Sequence, residues 1–193
     1  MKMRALLVMV GALGMLAGQV QAQTYDLVVR GGVVMDPESG LEAVRTVAVG
    51  DGKIAAITQK SLRGKRTIDA GGRVVAPGFI DIHSHGQNQK YVHDWQLVGL
   101  MDVLRAGSLT PARELEASIP ALRNKGRLKV GADADIIVFD PARVRATPSV
   151  EKPAALPSGM DYVIVNGTVL IDRGRMDPAL LPGRPVRREQ PAS

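Results

Sequence analysis

From residue 24 onward, short apolar runs alternate with clusters of glycine, aspartate and proline. Tyr25 to Val34 reads as strand, turn, strand, with Gly31-Gly32 as the turn and Asp36-Pro37 as the stop. Thr46-Val47-Ala48-Val49 predicts another strand, Gly50-Asp51-Gly52 a tight turn, and Lys53 to Ile57 the return. Arg66 to Asp69 and Arg73 to Ala76 flank Ala70-Gly71-Gly72 in the same manner. Together these stretches predict a small antiparallel sheet. The far end repeats the pattern. Ile136-Ile137-Val138-Phe139 is a continuous apolar run, which predicts a buried strand between the polar turn at residues 131–135 and Asp140-Pro141. Asp161 to Val165 and Thr168 to Ile171 enclose Asn166-Gly167, the favoured pair for a type I′ hairpin turn.

The middle of the chain has a helical period. Thr110 as N-cap and Pro111 at the first helical position predict a helix start. Leu115, Ile119 and Leu122 then recur at helical spacing, strained by Pro120, and Gly126 is the stop. Arg143 to Met160 contains Pro148, Pro153 and Pro157 and predicts a loop. Prolines after Met176 leave the tail irregular.

The first 22 residues carry a different signal. Lys2 and Arg4 precede an apolar run from Ala5 to Ala17, and Val20-Gln21-Ala22 places small residues at the cleavage positions. This predicts a secretory signal peptide cut after Ala22, with a run too short to span a bilayer comfortably. The expected location is periplasmic or secreted, with no membrane attachment after cleavage. Apolar residues make up 45% of the 193, but aromatics only 3%, so the core must be aliphatic. There is no cysteine, which excludes disulfides and thiolate chemistry. The formal charge is +6, and much of the excess lies in Arg173, Arg175, Arg184, Arg187 and Arg188. No aromatic residues interleave with these arginines, so the expected state is a solvated basic tail with no nucleic-acid partner.

Val74 to His85, V-V-A-P-G-F-I-D-I-H-S-H, carries the candidate chemistry. Read as a strand after Pro77-Gly78, it places Asp81, His83 and His85 on one face. Two imidazoles at that spacing can grip one divalent cation. The chain has only three histidines, and the third is His93. Pro-Gly-Phe-Ile-Asp-Ile-His-Ser-His resembles the first barrel strand of the amidohydrolase superfamily. His85-Gly86-Gln87-Asn88 resembles, more narrowly, the N-acyl-D-amino-acid and D-glutamate deacylases. The resemblance extends to the ends. Tyr25 to Ala76 looks like the family's N-terminal sandwich strands, Gly126 to Asp140 like the re-entry into the C-terminal set, and Val165-Asn166-Gly167 like its hairpin. Val103 to Glu116 resembles the last helices before that re-entry.

The resemblance implies His83 and His85 as metal ligands, zinc or another divalent metal as cofactor, and an N-acyl amino acid as the small-molecule partner. It implies hydrolysis of an amide C–N bond by a metal-activated water. For Asp81 it implies a structural hydrogen bond, and for His93 no role. A full barrel takes roughly 250 residues, and Gly86 to Leu128 has room for a helix or two. The expected fold is mainly β with a short helical segment: a composite β-sandwich of the amidohydrolase type, its barrel reduced to the first strand and last helices. The expected division is 1–22 signal peptide, 23–76 first sandwich half, 77–125 barrel remnant, 126–176 second half and 177–193 basic tail. The arm at 86–125 is expected to be helical and loosely held. Further family ligands match no position here, so catalytic residues beyond the histidine pair are unassigned and the metal is expected to be weakly held. Three readings follow: an N-acyl-D-amino-acid hydrolase, a non-catalytic secreted sandwich remnant, or an interaction module that associates with a full-length homologue.

Overall fold

The structure, a computed structural model, describes residues 24–82, 99–145 and 157–187. Nine strands form one sheet among the described residues. They are β1 (Thr24–Asp36), β2 (Leu41–Gly50), β3 (Lys53–Thr58), β4 (Arg63–Asp69), β5 (Val74–Pro77), β6 (Ile136–Phe139), β7 (Met160–Val165), β8 (Thr168–Asp172) and β9 (Arg175–Met176). The order is β3-β2-β1-β5-β6-β7-β8-β9, with β4 also on β1.

β1 is one long strand, not the predicted strand-turn-strand. Gly31, at φ 76°, makes a bulge instead of a turn, and the register against β2 shifts between Val29 and Gly32. The bulge resets side-chain parity. Leu27 and Val29 before it and Val34 after it therefore reach the same core, while Val33 and Met35 face the other way. The antiparallel prediction is also corrected in part. β4 and β5 do not pair as a hairpin; each runs parallel to β1, β4 beside its first half and β5 beside its second. Asn166 and Gly167 adopt positive φ, 47° and 79°, as the predicted β7–β8 hairpin requires.

The two ends of the chain meet at β5 and β6, which pair antiparallel from Val74↔Phe139 to Pro77↔Ile136. Both strands are apolar without alternation because both faces are buried. Val75, Ile136 and Val138 face the main core with Val47, Val49, Ile54 and Ile164. Val74, Ala76, Ile137 and Phe139 face a second core that includes Leu104. The sheet also folds round so that distant segments touch. The Ile54 amide donates to the Ala132 carbonyl, the Ala134 amide to Gly52, and the Gly167 amide to Ala134, all at 2.9–3.0 Å. Arg66 on β4 pairs with Asp172 on β8 at 2.9 Å.

The helical arm comprises α1 (Leu100–Leu104), a π-helical turn (Arg105–Leu109), α2 (Thr110–Glu116) and a 3-10 turn (Pro120–Asn124). Thr110 is not the predicted N-cap. Leu109 and Thr110 both have helical dihedrals, so α1 runs through the wide turn into α2. Pro111 accounts for the widening. It has no N–H for the carbonyl four residues back, at Gly107, and its ring crowds that carbonyl. In the described part of the arm, Leu104, Ser108, Leu109 and Ala112 are buried.

Candidate functional site

His83, His85 and His93 lie outside the described residues, as do the predicted signal peptide, residues 86–98 and the end of the tail. What the structure does place is the approach to the histidine pair. The Gly78 amide donates to the Asp135 carbonyl at 2.9 Å. Two residues on, the Ile80 amide donates to the Gly107 carbonyl, also at 2.9 Å. That is the carbonyl Pro111 leaves without a helical donor. After Gly78, which still bonds beside β6, the stretch turns at Phe79 and Ile80 to the helical arm, where a barrel strand was predicted. Phe79 lies directly against Gly107: a Cβ there would come 3.0 Å from the ring. Asp81 is exposed and has an interaction partner.

Below this stretch, the turn from Gly131 to Asp135 carries a compact charge cluster. The Lys125 ammonium sits between Asp133 at 3.0 Å and Asp135 at 2.6 Å, and Lys53 also bonds Asp133. Burial is the largest influence on Lys125 and pulls its pKa down, but hydrogen bonds to Asp135 and Asp133 outweigh it and hold the pKa raised. Burial likewise pushes Asp133 up, and hydrogen bonds from Lys53 and Lys125 overcome it, leaving its pKa lowered. The other Asp135 oxygen accepts the Asn166 amide at 2.8 Å. Hydrogen bonds and ion pairs to both carboxylates thus brace three segments together. That is a structural task, and the lowered pKa of Asp133 sets it away from proton exchange near neutral pH.

A second polar latch ties the β1–β2 turn to the chain's re-entry into the sheet. Asp36 is buried, and its carboxylate accepts the Ser39 amide and the Leu128 amide, each at 2.9 Å. Beside it, the buried Arg127 bridges Glu38 at 2.7 Å and Glu116 at 3.0 Å, joining the sandwich to α2. The sequence analysis read Asp36 only as a strand stop and the acidic turn only as polar. Asp133 and Asp135 stand two apart downstream of Lys125 and Lys129, a weak signal that gains meaning only once Lys125 is placed between them.

No group of three or more His, Cys, Asp or Glu side chains that could hold a metal occurs among the described residues. A catalytic zinc takes three protein ligands and an open position. Asp133 and Asp135 are committed to lysines, Glu38 and Glu116 to Arg127, and Asp36 to backbone amides, so these carboxylates do not fit as the remainder of such a site.

An apolar concavity lies beside residues 78–82. A groove of about 670 Å³ runs between the arm and the C-terminal strands, walled by Ile82, Leu115, Ile119, Met160, Val163 and Ile171. Lys125, Asp135, Asn166 and Arg184 are the polar residues that reach it.

No family model matches the chain. Among curated proteins it is similar to the N-acyl-D-glutamate deacylase of Alcaligenes xylosoxydans xylosoxydans, 48% identical over 100 residues, which are 52% of this chain and 19% of that protein. It is 48% identical over 68 residues to the dihydroorotase of Streptococcus pneumoniae serotype 4, covering 35% of this chain and 16% of that one. To the dihydroorotase of Solibacter usitatus it is 30% identical over 134 residues, 69% of this chain and 30% of the relative. Among solved structures, the N-acyl-D-glutamate deacylase of Bordetella bronchiseptica aligns with 33% identity, a TM-score of 0.30, and coverage of 39% of this chain and 16% of that one. At that TM-score the superposition adds nothing to the sequence matches. The class is a mainly β fold with a short helical arm, its nine described strands joined in one sheet that folds round on itself. The chain carries part of an amidohydrolase-superfamily sequence, and its matches span 16% to 30% of the curated relatives named above.

Proposed function

We propose that the chain descends from a metal-dependent hydrolase of amide C–N bonds, and that by itself it is a non-catalytic sandwich module. The observation that carries this reading is the bond from the Ile80 amide to the Gly107 carbonyl. It turns the stretch leading to His83 toward the helical arm, where no ring of strands surrounds it among the described residues. In an intact enzyme of this class the metal polarises the amide carbonyl and activates a water. Here the roles left to the described residues are to close the sandwich and to seat the segment before the histidines.

The ancestral substrate class we assign is the N-acyl-D-amino acids. The 48% identity to a D-glutamate deacylase over 100 residues supports it, and the resemblance of His85-Gly86-Gln87-Asn88 points the same way. Dihydroorotases, which also match, are the competing class. His83 and His85 are proposed to hold zinc weakly, and the predicted leader implies export to the periplasm or beyond. The test is a metal-supplemented assay of the purified chain with N-acetyl-D-glutamate and with dihydroorotate. The expected result is no turnover of either above buffer, together with zinc that a mild chelator removes. Metal-dependent hydrolysis of either substrate, lost on His83→Ala, would overturn the non-catalytic reading and identify the substrate class at once.

A further inference from the structure

We propose that the groove between the helical arm and the C-terminal strands binds a small amphiphile with a single apolar chain and an anionic head, of the fatty-carboxylate type. This goes beyond the reading above and requires no hydrolysis.

Size comes first. About 670 Å³ lies within the 300–1,000 Å³ typical of small-molecule sites. Next is the lining. Leu115 and Ile119 on one side and Val163, Val165 and Ile171 on the other are only partly buried, although they stand opposite one another. Each retains apolar surface that a chain of methylenes would remove from water. These side chains offer no hydrogen-bonding group, so an extended polar ligand such as a sugar or a peptide backbone would be left unsatisfied along them.

Charge then selects the head group. Four polar residues reach the groove, and three are already engaged. Lys125 and Asp135 neutralise each other, and the Asn166 side-chain amide donates to the Pro182 carbonyl at 2.6 Å. That last bond has a consequence. It ties the tail to the β7–β8 turn two residues before Arg184, which brings Arg184 to the groove. Arg184 is exposed and has no carboxylate partner among the described residues. It is the cation left over at the groove, and a planar guanidinium suits a carboxylate bidentately. An apolar wall with one unpaired arginine matches an acyl chain ending in a carboxylate and disfavours a cationic head.

The experiment is isothermal titration of the full chain with laurate below its micelle concentration, beside dodecyltrimethylammonium as the head-group control. Saturable one-to-one binding of laurate is expected, with the cation bound at least about fivefold more weakly, the scale of one exposed ion pair. Shortening laurate to decanoate should weaken binding by more than about tenfold, since two buried methylenes are lost. Arg184→Ala should weaken laurate about fivefold, and Ile119→Asp should abolish its binding, with circular dichroism to verify the fold. The head-group and chain-length series use the unaltered protein, so they decide the matter even if Ile119→Asp does not fold. Absence of saturable binding, equal affinity for the cationic amphiphile, or no dependence on chain length would each overturn the proposal. So would sedimentation showing that the apolar walls are covered by a second copy of the chain that laurate fails to displace.

Discussion

Ile136 and Ile119 have the same side chain and opposite surroundings. Ile136 lies in the main core, fully buried, with strands from both ends of the chain packed around it. Ile119 stands on the wall of the groove, partly buried, with open space before it. The contrast extends to their regions. The sandwich closes on itself because β5 and β6 bring the two ends of the chain together, and because the 131–135 turn seals the open side. The arm covers the second face with Leu100, Met101 and Leu104, and its cover runs out at Val163 and Ile171. The sheet is thus complete without the arm's outer surface, while the arm depends on the sheet.

The sharpest way to break that dependence is at the joint. A Cβ on Gly126 would lie 2.4 Å from the Ser108 carbonyl oxygen, and Gly126 has φ +70°. Both obstacles are backbone, so Gly126→Ala should cost about 3–4 kcal/mol in urea unfolding. A value within about 1 kcal/mol of the parent would mean that the arm and sandwich are not rigidly joined.

The next test compares the two isoleucines directly. Ile136→Ala should destabilise by about 2–4 kcal/mol, through lost burial plus a cavity. Ile119→Ala should cost under about 1 kcal/mol, since little packing is lost at an open wall. Equal costs would erase the distinction between the regions.

Asp36 gives an intermediate effect. Asp36→Ala strands the buried Leu128 amide, and the expected loss is about 1–3 kcal/mol. Asp36→Asn retains an acceptor and should recover part of it. If the two variants are equally unstable, the carboxylate's charge matters more than its hydrogen bond to Leu128.

The smallest effect is the pH dependence of the Lys125 cluster. Asp133 has a lowered folded pKa, so its stabilisation is present above the ordinary carboxylate range and lost as pH falls through the lowered value. Lys125 has a raised folded pKa, so its contribution is present below the ordinary lysine range and lost as pH rises through the raised value. Asp133→Asn should flatten the acid side of a thermal-stability profile and trim the alkaline side. The change is on the order of 1 kcal/mol after solvent screening. An unaltered acid side would show that the cluster does not brace the sandwich.

Much of the sheet was legible in advance because its signals are local. Asn166-Gly167 demands positive φ wherever it occurs, and the apolar run from Ile136 to Phe139 needs cover on both faces. The resemblance around Pro77 to His85 and Gly126 to Asp140 likewise resides in contiguous residues. Other features were beyond any local reading. Gly31-Gly32 can bend a strand or reverse it, and the choice fell to the bulge because that puts Leu27, Val29 and Val34 into one core. Thr110-Pro111 has the form of a helix start, but the buried Leu104 and Leu109 extend the helix back through it. Lys125, Asp133 and Asp135 became one cluster, and Asp36 met Leu128, only after distant segments were packed together. Turn chemistry and apolar period act over a few residues and can be read from them. Partner choice for a strand, a buried carboxylate or a free arginine depends on which distant segments the closing core brings within reach, and that is decided in three dimensions.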